Sequence, residues 1–217
     1  MEKETPPALR SKTRSSLLRA AGKIFARKGF EGASIREICT AAKTNISAVN
    51  YYFGDKVGLY RAVIEHGIDL ANELYPLPQK RNEEDYQSFL CRQIAVVQQR
   101  IKETSGSKWY QRIVQQELLL PKKEIREIID KKCIENDYKM FYKTLKLIEP
   151  RAPDQAVKEC TIYLTAILGF HVILLPHLSG IISSLDKKNI TEIGSSSKSI
   201  ATFIVAGLKA SVVRESL

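Results

Sequence analysis

The sequence predicts an all-α fold, and three observations predict it. Apolar residues return at three- and four-residue intervals from Leu17 almost to the end of the chain. Capping residues stand where the periodic runs begin or stop. No segment alternates with period two for long enough to make a strand. The 217 residues are 44% hydrophobic and 27% charged, an ordinary globular composition that excludes wholesale disorder. A chain of this length buries roughly 70% of its unfolded surface and needs no disulfide or metal staple.

Residues 1–9 are polar, carry Pro6 and Pro7, and read as a flexible tail. A first helix follows over about 10–28, with Leu17, Ala21, Ile24 and Phe25 on one face and Gly29 at its C-terminal cap. Ser34-Ile35-Arg36-Glu37 is a capping box that opens a short second helix with Ile35, Ile38 and Cys39 facing inward. Lys43-Thr44-Asn45 makes a turn, and Asn45 caps a third helix that runs to about Phe53 with Val49 and Phe53 inside. Gly54 stops it and Asp55 caps a fourth, marked by Leu59, Val63, His66 and Leu70 and ended near Pro76 and Pro78. Further helices are expected over about 83–103, 107–120 and 122–148, then from Asp154, and finally over about 190–213, with a Gly/Ser/Lys-rich stretch near 183–198.

Charge is unevenly spread. The chain holds 34 Lys+Arg against 24 Asp+Glu, for a net +10, and residues 1–61 alone hold 12 against 5. Such an excess favours an anionic partner, nucleic acid or a membrane surface. Cys39, Cys91, Cys133 and Cys160 have neither C-x-x-C nor metal-ligand spacing, so they read as buried free thiols of a reducing cytoplasm and no metal is expected. The N-terminal segment has no apolar stretch of the signal-peptide kind. No nucleophile–base motif or phosphate-binding glycine loop is present, so no catalytic residue, enzyme activity or cofactor is expected. Residues 160–185 carry no charge. That meets the length of a membrane span, but Tyr163, His171, Pro176 and His177 and the absence of an aromatic belt favour a helix buried in a core or subunit interface. A membrane-anchored DNA-binding protein is the alternative.

The third helix is the most informative element. With Val49 and Phe53 turned inward, its outer face holds Ile46, Ser47, Ala48, Asn50, Tyr51 and Tyr52 and no charge. A merely solvated helix would carry Glu and Lys there. Asn bonds adenine bidentately in the major groove, and Ser or Ala meets a base edge or thymine methyl. Tyrosine hydroxyls reach phosphates, and Lys56 adds charge at a helix N-terminus that already favours phosphate.

Ala-x-x-x-Phe-x-x-x-Gly-Phe, Ser-Ile-Arg-Glu-Ile and Tyr-Tyr-Phe-Gly-Asp-Lys, spread over 14–59, together resemble the DNA-binding domain of the TetR/AcrR family of bacterial transcriptional regulators. Asn45–Phe53 is most similar to the CecR (YbiH-like) subgroup, and Arg112-Ile113-Val114-Gln115-Gln116-Glu117 followed by Pro121 is faintly similar to its second domain. The resemblance implies about nine helices: a helix-turn-helix bundle over 10–56 and a ligand-binding and dimerisation domain over 57–217, with the helix of about 55–74 connecting them. It implies a cytoplasmic homodimer that binds double-stranded palindromic operator DNA, acts as a repressor and is released by a small molecule. Carried onto this chain, Ser47, Ala48 and Asn50 read bases. Tyr51, Tyr52 and Lys56 contact phosphates, with Ser34, Arg36 and Thr44 in support. Many members carry Tyr where this chain has Asn50.

In the second domain a small apolar or aromatic effector is expected among Trp109, Tyr110, Glu117, Tyr138, Tyr142, Tyr163 and His171, in a mostly apolar pocket with a few polar groups. The late apolar helices are expected to form the dimer interface. Ala166 and Gly169 allow close approach there, and Ile162, Leu168, Ile173, Phe203 and Ile204 supply area.

Overall fold

The computed structural model describes residues 7–102, 109–119, 122–183 and 196–214. It is all-helical over these residues. α1 is Pro7–Gly32, α2 Ile35–Ala42, α3 Ile46–Phe53, α4 Lys56–Leu74, α5 Tyr86–Lys102 and α6 Trp109–Leu119. Next come α7, Lys123–Ile129, a π-helical turn at Asp130–Ile134, and α8, Glu135–Ile148, consecutive in the chain. α9 is Asp154–Ser183 and α10 Ser197–Arg214. Counting these three consecutive elements once, the described helices number nine, as expected.

Most boundaries fall within a few residues of the sequence reading. α1 is longer: it begins at Pro7 and continues beyond Gly29, where a φ of 70° kinks it. The described part of the expected tail is therefore helical, which fits Pro7 in a helical first turn. Residues 1–6 lie outside the described set. α10 starts at Ser197, later than expected.

The chain divides into two compact units, one from Met1–Leu74 and Glu103–Ile128, the other from Tyr75–Lys102 and Ile129–Leu217. In the first, Leu17, Leu18, Phe25, Ile38, Val49, Leu59, Tyr60 and Ile64 are buried. Phe25 meets the Tyr60 ring edge-on at 4.7 Å between centroids. α6 belongs to this unit, packed on α1 and α4. Two glycines admit it. A Cβ at Gly22 would stand 2.7 Å from the Trp109 ring, and one at Gly67 would stand 1.9 Å from the Tyr110 ring. Neither glycine needs an unusual φ; each is small because an aromatic ring occupies the space of its side chain.

Trp109, Tyr110 and Glu117 are 8%, 7% and 3% exposed. These three residues, expected to line an effector pocket of the second domain, belong to the first unit and pack there. Tyr60 donates its hydroxyl to Glu117 Oε1 at 2.7 Å, and Lys122 N–H donates to Oε2 at 3.0 Å. Both oxygens of the buried Glu117 side chain are thus bonded, as a buried polar group requires. Burial, with Glu117 alongside, pushes the Tyr60 hydroxyl well above the ordinary tyrosine range.

In the second unit α5, α8, α9 and α10 close around Leu90, Ile94, Val97, Phe141, Leu145, Val157, Leu164, Leu168, Ile204, Val205 and Leu208. Leu168 and Ile204 are each 3% exposed in this core, so their assignment to a dimer interface is corrected: they pack within their own chain. Ile162 and Phe203, from the same expectation, are exposed, with Ala166 beside Ile162 on the surface of α9. A Cβ at Gly169 would meet nothing within 4 Å. Ile173 falls on α9 with its side chain outside the described set. Among the described residues no helix is long and apolar enough to cross a membrane.

Candidate nucleic-acid interface

The helix-turn-helix is built by caps. Ser34 Oγ accepts from Glu37 N–H at 3.1 Å at the start of α2. The reciprocal half of the expected capping box gives way to another contact. The Glu37 carboxylate meets Arg27 at 2.9 Å and Lys28 at 2.7 Å, and these cations hold it below the usual carboxylate range. α2 ends at Lys43, left-handed with φ 53° and ψ 47°, whose N–H reaches Thr40 O while Thr44 N–H reaches Cys39 O. Asn45 Oδ1 then accepts from Ala48 N–H at 3.0 Å and from the Ser47 hydroxyl at 2.6 Å. The chain direction between α2 and α3 is fixed on both sides of a three-residue turn.

α3 hangs on Val49, which is fully buried. Ser47, Asn50 and Tyr51 are exposed, and Ala48 and Tyr52 are half-buried. Tyr51, 68% exposed, meets Tyr52 edge-on at 4.9 Å, so the two rings brace one another at the C-terminal end of the helix. Gly54, at φ 81°, closes α3, and Asp55 Oδ1 caps α4 through Gly58 N–H at 2.7 Å. Lys56 lies over the Phe30 ring at 4.5 Å with its ammonium 3.4 Å from Glu31 O. It is a tethered cation at the start of α4. Arg36 is exposed on α2, and Thr44 is half-buried in the turn.

All nine residues expected at a DNA site thus lie in the first unit, on or beside α2, α3 and the start of α4. The outer face of α3 is uncharged and small except for Ile46 and the two tyrosines, a shape that fits a groove floor of base edges. Sequence reasoning passed over Arg14, whose guanidinium stacks on Phe53 at 5.6 Å, and the cations of α1. Their signal was a helical repeat of Lys and Arg on a helix read only for its apolar face.

The effector candidates are divided. Trp109, Tyr110 and Glu117 are in the first unit, and the rest are in the second. There Tyr138 and Tyr142 stack at 6.2 Å, and Tyr142 bonds Asp154 at the start of α9. Tyr163 is exposed on α9. His171 lies on α9 with its side chain outside the described set. Among the described residues no group of three or more His, Cys, Asp or Glu could hold a metal ion.

Residues 17–63 match the family described as bacterial regulatory proteins, tetR family. The chain is 46% identical over 55 residues to the HTH-type transcriptional repressor NicS of Pseudomonas putida, which covers 25% of this chain and 26% of that protein. It is 38% identical over 63 residues to the probable HTH-type transcriptional regulator YttP of Bacillus subtilis, covering 29% and 27%. The matched part spans about a quarter of these relatives. Among solved structures, a TetR-like transcriptional regulator from Rhodococcus sp. RHA1 aligns over 94% of this chain and all of its own, at TM-score 0.63 and 16% identity. HlyIIR, a hemolysin II transcriptional regulator, aligns over 92% and 98% at TM-score 0.59 and 24% identity. These likenesses extend over nearly the whole chain and concern its fold.

Proposed function

We propose that this chain is a TetR-type transcriptional regulator that binds a palindromic operator as a homodimer. The observation that carries the reading is the capped α3 with its uncharged outer face of Ser47, Ala48, Asn50, Tyr51 and Tyr52, in the segment that matches the family. Repression is the mode in this reading, in keeping with the named repressor NicS. The sequence of α3 favours a place beside the CecR-type regulators. Ser47, Ala48 and Asn50 meet bases; Tyr51, Tyr52 and Lys56 hold phosphates, with Ser34, Arg36 and Thr44 at the margin.

A second copy covers the outer faces of α9 and α10. Ile162, Ala166 and Phe170 run exposed along α9 beside half-buried Gly169, and Phe203, Ala206, Gly207, Ala210 and Val213 run exposed along α10, apolar on both. A small apolar or aromatic effector enters the second unit and lowers operator affinity, and by reciprocity the operator lowers effector affinity by the same factor. Gln93 supports that place: it is 3% exposed, and its Oε1 has no hydrogen-bond partner among the described residues, so a donor on the effector would satisfy it.

A duplex selected from a random pool by the full-length protein tests the operator reading. Asn50→Ala should cost about 1–3 kcal/mol on the selected duplex and relax preference at one base pair per half-site. Lys56→Ala should weaken selected and random duplexes alike and lower the salt slope by about 1 per protomer. Equal loss on both duplexes for Asn50→Ala would remove Asn50 as a base reader. Failure to select any duplex would remove the operator reading.

A further inference from the structure

Beside the recognition face the first unit carries a feature that this reading leaves unused. α1 and α2 flank an open groove of about 730 Å³. Its α1 wall presents Lys12, Arg19, Lys23 and Arg27, and Lys43 stands on the other side. All five are exposed. Positions 12, 19, 23 and 27 share one helical face, and the row is about 22 Å long at 1.5 Å per residue. Among the described residues Glu37 is the only carboxylate lining the groove, and it is already matched to Arg27 and Lys28. Lys12, Arg19, Lys23 and Lys43 form no ion pair among the described residues.

The form of the groove narrows the anion that fits it. A small anion would use one or two cations and leave the rest repelling one another. A row of this length matches about six base pairs of duplex, at 3.4 Å per phosphate of one strand. Among the described residues no aromatic side chain lines the groove, so they offer no platform for stacking unpaired bases. Lys43 and Thr44, in the turn that leads into α3, line the groove, so it reaches the turn that precedes the recognition helix.

We propose that the α1–α2 groove is a second track for the DNA backbone, taking phosphates that flank the segment read by α3. This rests on the operator reading and extends it: α3 sets sequence, while the groove adds length-dependent, sequence-independent affinity.

The test uses the full-length protein, a selected duplex trimmed to its read core, and the same duplex extended by about eight base pairs at each end. Wild type should bind the extended duplex about tenfold more tightly than the core at about 0.1 M salt. Lys12→Ala/Arg19→Ala/Lys23→Ala should lose that gain, bind the core as wild type does, and lower the salt slope on the extended duplex by about 2–3 per protomer, at about 0.9 per phosphate. The charge-keeping Lys12→Arg/Arg19→Lys/Lys23→Arg should restore it. The variants change exposed side chains, and an unchanged melting temperature shows that they fold. The track is overturned if extension adds nothing for wild type, if the triple alanine variant still gains from it, or if that variant loses equally on the core. It is overturned too if inorganic polyphosphate protects the groove lysines from acetylation and extended duplex does not. Loss of core binding by Asn50→Ala with the extension gain intact separates the two parts, and a wild type that binds no duplex overturns both.

Discussion

A single carboxyl in the second unit shows how burial and charge compete. Asp137 on α8 is drawn toward ionisation by Arg100 of α5, but burial outweighs that attraction and lifts its pKa from 3.8 to about 6. The folded state therefore holds this proton more tightly than the unfolded chain does. Between about pH 4 and pH 6 the native form binds more protons, so this group's contribution to stability falls as pH rises and stays unfavourable above the window. Asp137→Asn should remove the dependence and stabilise the protein at pH 7.5 by on the order of 1–2 kcal/mol, with little gain at pH 4. Urea midpoints of both proteins at the two pH values measure it. A variant less stable at pH 7.5 would show that Arg100 holds Asp137 charged. Glu84 is the opposite case: Arg92, at 2.5 Å, and the Arg81 N–H hold it at about 2.

At the scale of elements, α6 is positioned by what is missing beneath it. Gly67→Ala places a methyl inside the Tyr110 ring, so α6 must shift or α4 must bend, at about 1–3 kcal/mol. Gly67→Ala/Tyr110→Ala should cost less than the sum of its single changes, since the second removes the clash made by the first. Thermal unfolding of the four proteins closes the cycle, and strict additivity would mean that the two do not meet. This contact also marks a limit of legibility. α2 and α3 could be placed from the sequence because Ser34, Asn45, Gly54 and Asp55 act on backbone groups within a few residues. The allegiance of α6 depends on glycines 22 and 67, far away in sequence, and nothing near Trp109 or Tyr110 announces it. The same holds inside α9: Leu168 and Ile162 are equally apolar, and only the packed core shows that one faces inward and the other out. The helix is apolar on nearly every side, so its pattern has no direction. On α3 the exposed Ser47, Asn50 and Tyr51 match the outer face read from the sequence, whereas Ala48 and Tyr52 are half-buried.

For the whole molecule, the proposed dimer sets those outward apolar faces against a second copy. Leu168→Arg is a poor probe, because it would breach the core of a single protomer. Phe203 is 71% exposed, and Phe203→Asp leaves the protomer's core intact. In a two-fold dimer the new carboxylate is desolvated in both copies, so association should weaken by several kcal/mol per buried ion. Sedimentation equilibrium should find a wild-type dimer and a folded, monomeric Phe203→Asp that no longer holds a palindromic duplex. A variant that remains dimeric would free this face of α10 from the interface. The molecule also carries its own reporter of internal contact. It has one tryptophan, and that residue is the ring laid over Gly22 of α1, 8% exposed and edge-on to Tyr110. Its intrinsic fluorescence is therefore a label-free optical signal from a single seam, blue-shifted while α6 is seated on α1 and moving to the red when water enters between them.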